Sequence, residues 1–255
     1  MELIMCSQKI KLSIQNNIAQ IILNYPEKNN ILTIELKNDF IEALTECENN
    51  PDVRIIMIGS VGKHFCAGAD LKHMYDMANA PFEENFADAK KLAHFFYRIY
   101  SCKKPTICCA NGKTFGGGLG LIAACDIAIA SHNANFCFSE VRLGLLPAII
   151  SPFILQRMSY QDARYTILTA EVFGAQEADE LQLIDHVSDD DPLAFGSWIA
   201  ESLLKNNQAG MLNAKRWLQT LRPILPAQLD EAAHLLATIR ATDEVKQHIK
   251  QFLTT

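Results

Sequence analysis

The chain has 255 residues, 49% of them hydrophobic, and a formal net charge of −6. That length supports one large domain or a domain with an appendage, and the acidic balance argues against a general nucleic-acid surface. The longest uninterrupted apolar runs fall well short of the ~20 residues that a membrane-spanning helix needs.

Residues 1–6 carry neither the basic flank and apolar core of a secretory signal nor the Arg-rich character of a transit peptide, so a cytoplasmic location is expected. The eight cysteines show no C-x-x-C pairing. They read as small buried hydrophobes in a reducing compartment, not as disulfides or metal ligands. Residues 9–15 and 18–24 alternate apolar with polar and predict two strands joined at Asn16-Asn17. Thr33 caps a helix that carries Ile34, Phe40, Ile41 and Leu44 along one side and ends near Asn49-Asn50-Pro51. A strand is expected over 53–59, then a short helix over 71–77, broken at Pro81. Residues 83–102 form a long helix with Leu92, Phe95, Phe96, Ile99 and Tyr100 on its apolar side. The composition of 78–84 predicts a mobile loop.

The apolar run 106–110 reads as a buried strand behind Pro105. It leads to Gly116-Gly117-Gly118 and a small-residue helical segment over 119–125. Three glycines between a strand and a helix allow conformations that a Cβ forbids and let another molecule approach the main chain. The unpaired N–H groups and dipole of the following helix favour negative charge there, a phosphate or a developing oxyanion. Two familiar motifs fail. A Walker loop ending at Gly112-Lys113-Thr114 would need glycine where Ile107 stands, and a dinucleotide fingerprint counted from Gly116 meets Leu121 in place of its last glycine.

Strands are expected over 126–130, 134–138 and 184–187, and helices over 152–158, 161–170 and 175–183. The acidic run 189–191 reads as a solvated turn. From Pro192 onward four helical segments follow without a strand, which places one domain boundary between residues 191 and 192.

Three stretches in order carry a resemblance: His64-Phe65-Cys66-Ala67-Gly68-Ala69-Asp70-Leu71, then 110–121, then Phe138-Ser139-Glu140-Val141-Arg142-Leu143-Gly144-Leu145. With Leu23-Asn24-Tyr25-Pro26-Glu27-Lys28 near the start, the chain resembles the crotonase superfamily of enoyl-CoA hydratases and isomerases over nearly its whole length. The wording of the second and third stretches is similar to hydratases of the methylglutaconyl-CoA type.

The resemblance implies an α/β fold, a β-β-α spiral core over 1–191 and a helical part over 192–255 that builds trimers or hexamers. It implies an acyl-CoA thioester as substrate, no separate cofactor or metal, and neither nucleic acid nor membrane as partner. By motif matching, the backbone N–H groups of Ala69 and Gly117 hold the thioester oxygen, and Glu140 is the catalytic acid/base. Lys28, Ala67, Asp70, Leu71, Gly116 and Gly120 fall on positions around the CoA and acyl group, with Lys63 and Lys72 as further cations near its phosphates. The physics behind the donors is general: moving a proton beside a thioester charges its oxygen, and donors fixed in advance there stabilise the enolate-like transition state. An apolar setting after Phe136-Cys137-Phe138 would raise the pKa of Glu140; the competing reading pairs it with Arg142 at the surface.

One position departs from the pattern. Two-glutamate hydratases carry a second carboxylate two residues after the glycine triplet, where this chain has Gly120. Asp76, Glu83 or Glu84 could substitute from the loop. The expected activity is hydration of a 2-enoyl-CoA; Δ3-to-Δ2 isomerisation by one glutamate is the alternative, and a non-catalytic acyl-CoA-binding scaffold is the second alternative.

Overall fold

The computed structural model describes residues 2–7, 9–189 and 191–254. Its main sheet has seven strands: β1 (Glu2–Cys6), β2 (Ile10–Gln15), β3 (Ile18–Leu23), β4 (Ile55–Ser60), β5 (Thr106–Ala110), β7 (Ile127–Ser131) and β10 (His186–Ser188), in that spatial order. β1, β2 and β3 pair antiparallel, and β2 and β3 meet at two asparagines, Asn16 and Asn17, whose positive φ suits a tight turn. From β3 onward all pairings are parallel. Parallel strands need long crossovers; α1 (Ile34–Asn49) joins β3 to β4, and α2 (Leu71–Asn79) with α3 (Phe82–Tyr100) joins β4 to β5.

The central strands are apolar throughout because both faces are covered. Ile56, Ile58 and Cys108 point into the larger core under the crossover helices. Their neighbours Ile55, Met57, Ile107 and Cys109 meet Ile199 and Ala200 of α8 (Pro192–Leu204) on the other face. A smaller sheet joins β6 (Lys113–Phe115), β8 (Asn135–Cys137) and β9 (Phe173–Gly174). Three helices, α5 (Ser151–Arg157), α6 (Tyr160–Thr169) and α7 (Ala175–Glu180), precede α8, and α9 (Gln208–Leu221), α10 (Pro226–Arg240) and α11 (Asp243–Thr254) follow it. α10 packs along α3, and Leu229, Ala233 and Leu236 enter the larger core.

The mixed sheet with a helical C-terminal part is the expected α/β architecture. Three short strands, β1, β6 and β9, escape the sequence pattern. The span expected as a mobile loop is a tight helix junction in which only Ala80 and Pro81 are non-helical. It is pinned by Asn85, which is buried and donates to the Ala237 carbonyl at 2.9 Å. In the acidic run, Asp191 caps α8 by accepting from Leu193 N–H at 3.1 Å; Asp190 lies outside the described residues. No helix among the described residues is long and apolar enough to cross a membrane.

Candidate active site

The glycine corner is built by β6, which delivers the chain to Gly116 at φ +49°, and by α4 (Gly117–Ala124), which starts on the next residue. Gly116 N–H donates to the Cys137 carbonyl at 3.0 Å, so β8 fixes the turn from one side. From the other side, Phe115 N–H donates to the Cys66 carbonyl at 3.0 Å. Gly68 has φ +99°, and a Cβ there would stand 2.9 Å from the Phe115 carbonyl oxygen and 3.8 Å from Gly117 N. Two glycines far apart in sequence therefore meet backbone to backbone.

This contact brings Ala69 and Gly117 to one cavity of about 620 Å³. Neither amide donates to any acceptor among the described residues, although Leu32 N–H is bonded to the adjacent Gly68 carbonyl at 2.8 Å. Gly117 is the first residue of α4, where an amide has no partner within its own helix. Two unpaired donors beside each other and a helix N-terminus suit a carbonyl oxygen that gains negative charge.

Glu140 is the second residue of a short 3-10 turn, Ser139–Leu143, which closes on Gly144 at φ +72°. The Leu145 N–H bond to the Glu140 carbonyl, 3.1 Å, holds the turn. Its carboxyl rests against Gly116, where an added Cβ would lie 3.2 Å from Oε1. Oε2 is buried and has no hydrogen-bond partner among the described residues. The surface pair with Arg142 does not form; that guanidinium donates to the Ala170 carbonyl instead. Burial pushes the Glu140 carboxyl up to about 7, with its own backbone amide partly offsetting the shift. An acid poised near neutrality both takes and returns a proton efficiently.

Lys28, Ala67, Asp70, Leu71 and Gly116 line the same cavity. Their chemistry is not all free. Ala67 N–H is spent on the Asn29 carbonyl at 3.0 Å, which leaves Ala67 only its carbonyl to offer. The Asp70 carboxylate caps α2, accepting from Lys72 N–H at 2.9 Å and His73 N–H at 3.2 Å. Lys72 lies at the cavity, paired with Asp76 at 3.0 Å, whereas Lys63 does not line it. Asp76, Glu83 and Glu84 do not line it either, so the junction supplies no second carboxylate. Gly120 stands behind the wall. A Cβ there would meet Ile150 Cγ2 at 2.5 Å and Phe96 Cε1 at 2.7 Å. These two apolar side chains line the cavity between Gly120 and the open space, so this side brings no carboxylate to it.

Sequence reasoning missed a polar cluster on the same cavity: Lys37 of α1, His73 of α2, Asp88 of α3 and Arg240 of α10. Asp88 accepts from His73 Nε2 at 2.8 Å and from Arg240 at 2.9 Å. Burial alone would raise Asp88, but the His73 hydrogen bond and the Arg240 charge hold it below the usual carboxylate range. A signal for Arg240 was available: it shares the apolar stripe of α10 with Ala233, Leu236 and Ala237. The other three come from different helices, and no spacing connects them.

The family described as enoyl-CoA hydratase/isomerase matches residues 13–255. An enoyl-CoA hydratase from Shewanella pealeana, known from a crystal structure, is 38% identical with a TM-score of 0.80, covering 96% of this chain and 93% of its own. The hydroxycinnamoyl-CoA hydratase-lyase of Pseudomonas fluorescens is 31% identical over 96% of this chain and 91% of its own length. The bacillaene synthase dehydratase PksH of Bacillus subtilis is 29% identical over 84% and 82%, respectively.

Proposed function

Because the chain belongs to the enoyl-CoA hydratase/isomerase family of enzymes, we propose that it adds water across the C2=C3 bond of a 2-enoyl-CoA, with Glu140 as its single acid/base. The observation that carries this reading is the buried, unpartnered Oε2 of Glu140 in the same cavity as the free amides of Ala69 and Gly117. The thioester oxygen accepts from those two amides. Ionised Glu140 takes a proton from a water whose oxygen adds to C3. The electron pair of the double bond moves to the thioester as an enolate, held by the two donors. The protonated Glu140 then delivers the same proton to C2. One water supplies both the hydroxyl and the hydrogen, so one carboxyl with a pKa near neutrality suffices.

We extend the proposal to a branched or carboxylated acyl group of the methylglutaconyl-CoA type, on the motif wording and the cations of the cavity wall. The helices from Pro192 onward are proposed to assemble the chain into trimers in the cytoplasm. Trp198 and Trp217, each exposed by more than half, support this as apolar surface left uncovered in one copy.

Δ3-to-Δ2 isomerisation stays a second reading for one reason: Ile150 and Phe96 occupy the seat of a second carboxylate, and moving a proton between C2 and C4 needs only one. Crotonyl-CoA, a 3-enoyl-CoA and 3-methylglutaconyl-CoA, followed by absorbance and mass, separate the readings. Mass gain of one water supports hydration. Isomerisation without hydration overturns it, and binding without turnover of any of the three supports a scaffold.

A further inference from the structure

The cavity wall formed by α1, α2, α3 and α10 carries more positive than negative charge. Asp88 has both oxygens committed, one to His73 at 2.8 Å and one to Arg240 at 2.9 Å. Arg240 is itself tied down on Asn85 Oδ1, with Nε at 2.8 Å, so this pair is neutral and complete. Lys37, half-buried on the same wall, makes no ion pair and no side-chain hydrogen bond among the described residues. Asp70 and Glu35 act on it more weakly than Asp88 does. Asp70 is engaged as the cap of α2, and Glu35 is exposed at the start of α1. Burial holds Lys37 below the ordinary lysine range, and Asp88 only partly offsets that. An ammonium kept in such a place without an anion is costly, and an arriving anion relieves the cost.

We propose that Lys37, set beside the closed Asp88–Arg240 pair, receives a carboxylate at the end of the acyl group, so that the protein selects acyl thioesters of dicarboxylic acids. This rests on the reading of the cavity as an acyl-CoA site. The wall beside Lys37 also suits an acyl chain that ends there. Met74, Leu92 and Leu236 line the same cavity, offering apolar surface to the methylenes of an acyl chain. A phosphate of the CoA moiety presents the same anionic chemistry, and the test must separate the two sources.

The test is the binding of two unreactive ligands, glutaryl-CoA and pentanoyl-CoA, by titration calorimetry. They share the CoA and five acyl carbons and differ in the terminal carboxylate. In the unmodified protein glutaryl-CoA is expected to bind more tightly. In Lys37→Met the glutaryl-to-pentanoyl affinity ratio should fall on the order of 10- to 100-fold, the range for a hydrogen bond to a charged group, and Lys37→Arg should restore part of it. Equal weakening of both ligands would assign Lys37 to a CoA phosphate and overturn the proposal, as would an unchanged ratio. Thermal melting confirms that the variants fold; Lys37→Met removes a half-buried, unpaired charge and should not lower Tm. Because neither ligand reacts, a failure of hydration in the enoyl-CoA panel leaves this result independent.

Discussion

A Cβ built on Gly116 would stand 3.2 Å from Oε1 of Glu140, so the Glu140 carboxyl is seated on a backbone that has no side chain to displace it. The same glycine has φ +49°, a conformation costly for other residues. Strand β6 thus determines both where α4 begins and where the Glu140 carboxyl can rest.

Gly116→Ala meets both penalties. It is expected to cost about 1–3 kcal/mol from the positive-φ backbone alone and to push Oε1 from its place. The enzyme should lose kcat while the protein still folds with a lowered Tm. A variant with unchanged Tm and unchanged kcat would refute the coupling between the turn and the carboxyl.

Glu140→Gln keeps the shape of the side chain and removes its proton chemistry. Turnover should fall by several orders of magnitude with CoA binding retained. The pH dependence carries a further signature. Glu140 must be ionised to take the proton of water, so kcat/KM should rise through an apparent pKa of about 7. Stability should move the opposite way. The folded pKa lies above the ordinary value of 4.5, so the contribution is full below about pH 4.5 and is lost as pH rises through about 7. The loss is on the order of 3 kcal/mol. Urea unfolding at pH 5 and pH 8, at one protein concentration, should show this difference in the unmodified chain and a smaller one in Glu140→Gln. An identical difference in both would remove the raised pKa.

The sequence made the strands and crossovers legible because they bury one or both faces at regular spacing. Ile55-Ile56-Met57-Ile58 announces a strand covered on both sides, and the structure puts its alternate residues into two different apolar clusters. β6 and β9 were illegible because a strand of three or two residues has no period to read. Pro81 was a visible break. What was not visible is that Asn85, one turn further, is held by Arg240 and Ala237 across 155 and 152 positions. The site divides in the same way: Ala69, Gly117 and Glu140 lie in local motifs, whereas Lys37, His73, Asp88 and Arg240 acquire meaning only when four helices converge.

Gly117→Pro deletes one of the two free amides. Proline is tolerated at the first position of a helix, which is the position Gly117 holds in α4. The residue before a proline is restricted, however, and Gly116 already has an unusual conformation. Circular dichroism must therefore accompany the assay. For a folded variant the expected loss in kcat is ~10²–10³, the usual effect of removing one oxyanion donor. Full activity in a folded Gly117→Pro protein would dispose of that donor.

Gly120 is the position at which the resemblance to two-carboxylate hydratases breaks, and adding the missing acid is the obvious experiment. From sequence alone, Gly120→Glu would be expected to restore the pair and raise hydration of an unbranched enoyl-CoA. The packing argues otherwise. A Cβ alone would come within 2.5 Å of Ile150 Cγ2 and within 2.7 Å of Phe96 Cε1. Phe96 is fully buried and touches Phe95 and Phe153, with ring centroids at 5.1 and 6.1 Å, so it has little room to yield. Gly120→Ala should therefore destabilise the protein by about 1–3 kcal/mol, the ordinary cost of overpacking. Gly120→Glu should cost more, because its carboxylate would enter an apolar wall without a partner. Hydration of crotonyl-CoA should fall, not rise. The informative variant is the triple change Gly120→Glu, Ile150→Ala, Phe96→Leu, which opens the seat before filling it. Melting curves and specificity constants for crotonyl-CoA, measured on the single and triple variants, decide the matter. A single Gly120→Glu variant that melts normally and hydrates faster would show that the wall moves aside, and that Ile150 and Phe96 do not enforce the one-carboxylate site.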